Sequence, residues 1–125
     1  MKAPVTSNNA PAAVGPYSQA IKTDTAVYVS GQLPIDPATG TRPEGIAAQT
    51  EQSLKNAEAI LKEEGLSLAD VVKTTVLLAD IADFAAMNEV YKQYFTAPYP
   101  ARSAFQVGAL PTGAMVEIEV VAVRN

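Results

Sequence analysis

Between Pro98 and Glu119 the chain reads PYPARSAFQVGALPTGAMVEIE, and three of these residues could do chemistry together: Arg102, Glu117 and Glu119. A guanidinium is permanently charged, and its planar fork matches a carboxylate with two parallel hydrogen bonds. Glu117 and Glu119 stand two apart on a strand-like segment, so their Cβ atoms share one face, about 6.5–7 Å apart. In a partly dry pocket one of them takes a raised pKa and passes protons to or from a bound water. If the strands carrying Arg102 and Glu117 are neighbours across the Leu110-Pro111-Thr112-Gly113 turn, the cation faces a carboxylate over a small gap. That outlines a site for a small carboxylic acid. Bland readings stand beside it: a surface arginine paired with a structural acid, and glutamates on a solvated strand face or in an interface salt bridge. Glu117, nearer the turn and the arginine strand, is the better candidate of the two acids.

The rest of the composition narrows the chemistry. The chain has no histidine and no cysteine, which removes imidazole, thiol nucleophiles, disulfides and the usual zinc or iron ligand sets. Acid–base work falls to carboxylates, tyrosine, lysine or water. No D-x-D-x-D-G loop signals a calcium site, and the seven glycines form no phosphate-binding string, so neither a metal nor a nucleotide cofactor is expected. With 9 basic and 13 acidic residues the net charge is −4, and the basic residues are scattered, which weighs against a nucleic-acid partner. There is no apolar run of membrane-spanning length and no basic-then-apolar leader, so a soluble, cytoplasmic protein with no membrane partner is expected. Weaker candidates for a pocket are Tyr17, after the rigid Gly15-Pro16 entry, the Ser30-Gly31 pair at a strand end, and Asn88 beside Met87.

These residues need elements to position them. Residues 1–16, with three prolines, read as an irregular arm. Tyr17–Lys22 and Ala26–Gly31 form a predicted hairpin about a short polar turn. Prolines at 34, 37 and 43 spell an exposed loop. Apolar residues at 46, 47, 54, 57, 60 and 61 predict a helix over 46–64, stopped by Gly65. Asp70–Ala79 is β-branched and reads as a buried strand. Asp80 caps a second helix over about 81–95, whose inward face is Phe84, Met87, Tyr91 and Tyr94. Strands at about 101–107 and 114–123 complete a β-β-α-β-α-β-β order in one domain spanning 1–125. On the fifth strand's pattern, Val116, Ile118, Val120 and Ala122 point one way and Glu117, Glu119, Val121 and Val123 the other; on the third, Val72, Val76 and Leu78 oppose Val71 and Leu77. A sheet apolar on both faces with only two helices calls for self-association.

Several blocks of the chain resemble a known family. Pro100-Ala101-Arg102-Ser103-Ala104-Phe105, then Gly108, Leu110 and Val116-Glu117-Ile118, resemble the signature of the reactive-intermediate deaminase family (RidA/YjgF). Gly15-Pro16-Tyr17-Ser18-Gln19-Ala20, Ser30-Gly31-Gln32-Leu33-Pro34, Gln49-Thr50, Leu54-Lys55-Asn56 and Val72-Lys73-Thr74-Thr75-Val76 extend the resemblance over nearly the whole chain. It implies a chorismate-mutase-like α+β fold, two helices on one face of a mixed sheet, assembled as a homotrimer around an internal barrel with clefts between subunits. It implies hydrolysis of 2-imino acids and their enamine tautomers, such as 2-aminoacrylate, to 2-keto acids and ammonia, without a cofactor. Carried over by position, Arg102 matches the arginine that holds the substrate carboxylate and Glu117 the carboxylate near the attacking water. Tyr17, Ser30, Gly31 and Asn88 match cleft-lining positions, and Ala104 stands where many members have cysteine, leaving only its backbone to contact ligand. Gln106 replaces an acid seen in some members.

The chemistry fits. An imine carbon is already electrophilic, so orientation by Arg102 and proton transfer through water suffice without a strong nucleophile. Two other readings stay open: a regulatory trimer that binds keto acids without turnover, and a ribonuclease or translation inhibitor, which the acidic charge balance disfavours.

Overall fold

A computed structural model describes residues 1–125. Six strands form one sheet: β1 (Ala3–Val5), β2 (Ala20–Lys22), β3 (Ala26–Gln32), β4 (Val71–Leu78), β5 (Ala101–Gln106) and β6 (Val116–Val123), in the spatial order β1-β2-β3-β6-β4-β5. Helices α1 (Ile46–Lys62) and α2 (Phe84–Tyr94) cover one face. The predicted mixed α+β order is present, with one strand more than the sequence suggested. β1 lies within the segment expected to be irregular and pairs antiparallel with β2 from Ala3↔Lys22 to Val5↔Ala20. Pro4 is tolerated there because an edge strand has a side that needs no ladder donor.

The elements follow from their residues. Leu54, Ala57, Ile60 and Leu61 recur at helical spacing on α1 and are fully buried. Gly65 adopts a positive φ of 70°, with its N–H donating to the Lys62 carbonyl and that of Leu66 to the Leu61 carbonyl, both at 3.1 Å. This is the paired bonding that ends a helix on a left-handed residue. Asp80 accepts from the Ala82 N–H at 2.9 Å and opens the 3-10 turn that leads into α2.

Parallel strands need a crossover, and α2 supplies it between β4 and β5. β6 then returns antiparallel into the middle of the sheet, between β3 and β4. Val116, Ile118, Val120 and Ala122 are buried under the helices, while Glu117 and Glu119 alternate onto the other face. On β4 the expected alternation shifts: an irregularity against β6 between Val71 and Lys73 turns Val71 inward with Thr74, Val76 and Leu78, and leaves Val72 44% exposed. An extra residue in one strand reverses the faces beyond it. No helix lies over the second face, where Tyr28 and Phe105 stand 51% and 47% exposed.

Two buried polar residues of α1 fix the loops beside the sheet. Asn56 donates from Nδ2 to the carbonyls of Leu33 and Ile35, at 3.0 and 2.9 Å. Gln49 donates to the Pro43 carbonyl at 3.0 Å and accepts from the Met115 N–H at 2.8 Å, pinning both the proline-rich loop and the entry to β6.

Candidate active site

Arg102 lies on β5 with its side chain on the helix-covered face. Its Nη1 donates to Asn88 Oδ1 at 2.7 Å, and its guanidinium carbon sits 4.7 Å from the Tyr91 ring centre and 5.3 Å from that of Phe84. Asn88, Tyr91, Lys92, Tyr99, Pro100 and Arg102 line an open cleft of about 470 Å³. Asn88 reaches it because residues 84, 88 and 91 share a face of α2. β5 pairs only with β4, so one of its edges is open. The Val107 N–H donates to the Leu78 carbonyl at 2.9 Å. Alternation therefore directs the backbone groups of 102, 104 and 106 to the open edge, where the N–H and carbonyl of Ala104 are available to a ligand. Gln106 has a structural partner, its side-chain oxygen accepting from the Ile81 N–H at 2.9 Å. A glutamate could accept that same bond, so the departure at 106 costs no contact.

Glu117 belongs to a second pocket. Tyr17, Ser30, Gly31 and Glu117 line it together with Pro11, Ala12, Val14, Leu33 and Ile35, around about 520 Å³. Burial pushes the Glu117 carboxyl above its ordinary range, and the like charge of Glu119 adds to the effect. Gly31 gives the carboxylate room: a Cβ there would stand 2.6 Å from Glu117 Oε2 and 2.9 Å from its Cδ. Ser30 directs its hydroxyl to the Ser18 carbonyl at 2.6 Å, so its side chain holds the loop before β2 in place. Tyr17 is about half exposed at the rim, following Gly15, whose φ is 142°.

The N-terminal wall of this pocket depends on Gln19, a buried residue that the sequence offered only as part of a longer block. Its side-chain oxygen accepts from the Ser7 N–H at 2.7 Å, and its amide group donates to the carbonyls of Ser7, Ala10 and Pro11 at 3.1, 3.3 and 2.7 Å. One side chain thus fastens residues 7–11. A buried glutamine with its amide fully used has a pattern signal only in hindsight, because nothing at 19 distinguishes it from a solvated one.

The seven candidate positions therefore fall into two groups. Tyr17, Ser30 and Gly31 gather around Glu117, and Asn88 around Arg102, with Ala104 two residues along β5 from that arginine. The expected gap between neighbouring strands is absent. β4 lies between β5 and β6, in register Arg102↔Thr74↔Val120 and Phe105↔Leu77↔Glu117, and the two charged side chains occupy opposite faces of the sheet. Within one chain the guanidinium and the carboxylate cannot share a ligand.

Residues 7–124 match the family model described as Endoribonuclease L-PSP. The 2-iminobutanoate/2-iminopropanoate deaminase of Capra hircus is 54% identical over 122 residues, covering 97% of this chain and 89% of the relative. The enzyme of the same name from Salmonella typhimurium is 46% identical over 128 residues, covering both chains completely. Among solved structures, E. coli TdcF with bound serine superposes with a TM-score of 0.95 at 44% identity, over 98% of this chain and 99% of that one. With family model, full-length relatives and fold in agreement, the chain belongs to the RidA family.

Proposed function

We propose that the protein hydrolyses reactive 2-imino acids and their enamine tautomers to 2-keto acids and ammonia. The observation that carries this reading is the likeness, over nearly the full chain, to relatives named for that reaction. The residues on hand suit it. Arg102 takes the substrate carboxylate on its free N–H donors. The Ala104 backbone at the open edge of β5 orients the rest of the small acid. Glu117, as the carboxylate, accepts a proton from water as its oxygen bonds to the imine carbon. With the protonated imine as the starting point, the carboxyl then returns that proton to the carbinolamine nitrogen. The C–N bond breaks as the hydroxyl gives its own proton to the Glu117 carboxylate, ammonia leaves and the keto group forms. A raised pKa brings Glu117 closer to the operating pH, where donating and accepting are both efficient.

Because one chain separates Arg102 from Glu117, we place the complete site between copies of the chain in a homotrimer. There the Arg102 cleft at the free edge of β5 meets the Glu117 pocket of a neighbour. The uncovered sheet face, with Tyr28, Val72 and Phe105 exposed, supports such an assembly. A ribonuclease reading has less behind it, since the sequence pI is 4.7 and no basic stripe is present.

The test generates imines from alanine and 2-aminobutyrate with an amino-acid oxidase and traps the survivors with semicarbazide. The wild-type protein should clear both imines well above the buffer rate. Arg102→Ala should lose about 10–100-fold in kcat/KM, the worth of a charge-assisted carboxylate contact. Clearance no faster than buffer would reject the deaminase reading, and keto-acid binding without clearance would assign the site to metabolite sensing.

A further inference from the structure

We propose that Tyr91 is a positioning residue for Arg102, holding the guanidinium in a fixed plane before any ligand arrives. The inference deepens the reading above and rests on Arg102 as the carboxylate-binding group. Three contacts converge on that side chain. The Tyr91 and Phe84 rings stand 4.7 and 5.3 Å from its guanidinium carbon, and Asn88 accepts one N–H at 2.7 Å. A cation held at aromatic faces is attracted by their negative potential.

The Tyr91 ring is itself held in place. Its hydroxyl is 2.8 Å from Thr74 Oγ1, and the Phe95 ring packs against it with centroids 4.5 Å apart. Thr74 has no exposed surface and Tyr91 only 5%, so this support is embedded in the core. Thr74 is also the β4 residue in register with Arg102, which ties the tyrosine and the arginine to adjacent points of one ladder.

The consequence lies in binding. An unrestrained arginine samples many rotamers and loses that freedom on gripping a carboxylate, whereas one already stacked has lost it on folding. Asn88 uses one of five N–H donors and the rings use none, so the rest of the fork stays free for the ligand. The restraint acts alike on ground and transition states, because the carboxylate does not change during imine hydrolysis. Removing it should therefore raise KM and leave kcat almost unchanged.

Titration of each variant with 2-oxobutanoate by calorimetry, beside imine kinetics, tests this, with thermal melts to establish folding. For Tyr91→Leu, Kd and KM should rise about tenfold with kcat within about twofold of wild type. Tyr91→Phe, which keeps the ring, should restore both to within about threefold. Should Tyr91→Leu fail to fold, the half-buried Phe84 decides, with Phe84→Leu expected to weaken keto-acid binding about threefold. Wild-type Kd in the folded leucine variants would overturn the proposal, as would equal losses in Tyr91→Phe and Tyr91→Leu. Since the titration needs no turnover, a ring-dependent Kd in a protein that clears no imine would sink the deaminase reading alone.

Discussion

Glu117 combines two demands that pull against each other. Its carboxyl is partly withdrawn from water beside Gly31 and shares a strand face with Glu119, and both raise its pKa. A carboxyl whose pKa is higher in the folded than in the unfolded chain binds its proton more tightly when folded. Its favourable contribution is therefore complete below the unfolded pKa and is lost as pH rises through the folded one. At neutral pH the ionised group is a cost to the fold. Glu117→Gln, which keeps the shape and removes the charge, should melt higher than wild type near pH 7. The advantage should shrink as pH falls through the pKa of Glu117, and imine clearance should be lost at every pH. Glu119→Gln should move the acid limb of kcat/KM downward by only part of the shift, because burial is the larger cause. A Glu117→Gln variant that melts below wild type at pH 7 would show that the carboxylate is stabilised by partners it lacks here.

At the scale of elements, the end of α1 is tied to two other parts of the chain through Glu64. Its carboxylate accepts from Arg124 Nη2 at 2.6 Å and from Lys22 Nζ at 3.3 Å, and Arg124 Nη1 also donates to the Glu64 carbonyl at 3.1 Å. Burial alone would push the Glu64 carboxyl up, but the bonds from Arg124 and Lys22 outweigh it and hold the pKa below the ordinary value. With the folded pKa depressed, the stabilisation is present above the unfolded pKa and lost as pH falls through the folded one. Arg124→Ala should cost about 1–2 kcal/mol at pH 7, and urea midpoints should converge with wild type in acid. A pH-independent difference would mean that the arginine acts through packing. This tie joins residues 22, 64 and 124, and no local pattern announces it. Local patterns do announce both helices, the Gly65 stop and the alternation of β6, because each depends on residues a few positions apart. The irregularity that exchanges Val71 and Val72 depends on pairing with β6, some fifty residues away, and was invisible for that reason. Chain neighbours often pair in space, and that tendency made β5 and β6 look adjacent. The parallel β4–β5 pair forced by α2 instead left β6 a slot next to β3. Residue types at the site were likewise legible while their supports were not. Arg102 and Glu117 stand out as charges between apolar strands, whereas Tyr91 and Phe84 read only as the inward face of a helix.

Over the whole molecule the separation of Arg102 from Glu117 makes assembly a matter of chemistry as well as stability. The two groups lie on opposite faces of one sheet with β4 between their strands, so a ligand that meets both must lie between chains. In the proposed homotrimer, point-group symmetry would give every cleft one arginine from one copy and one glutamate from the next. Glu117→Gln homo-oligomers should be inactive, and Arg102→Ala homo-oligomers should keep only about 1–10% of wild-type kcat/KM. Unfolded together in equal amounts and refolded, they should recover activity, because an Arg102→Ala chain still offers Glu117 and a Glu117→Gln chain still offers Arg102. Random mixing pairs the two intact halves in about a quarter of the clefts, so about a quarter of wild-type kcat/KM per chain is expected. Co-refolding either variant with a chain carrying both substitutions supplies the control, since no cleft there can hold both groups. If each site lay within one chain, no mixture of the single variants could restore it. Recovery near a quarter, against no more than the single variants' residual activity in the control, would place the site between subunits, whereas no recovery in a mixed oligomer verified by mass spectrometry would remove the shared cleft from the mechanism.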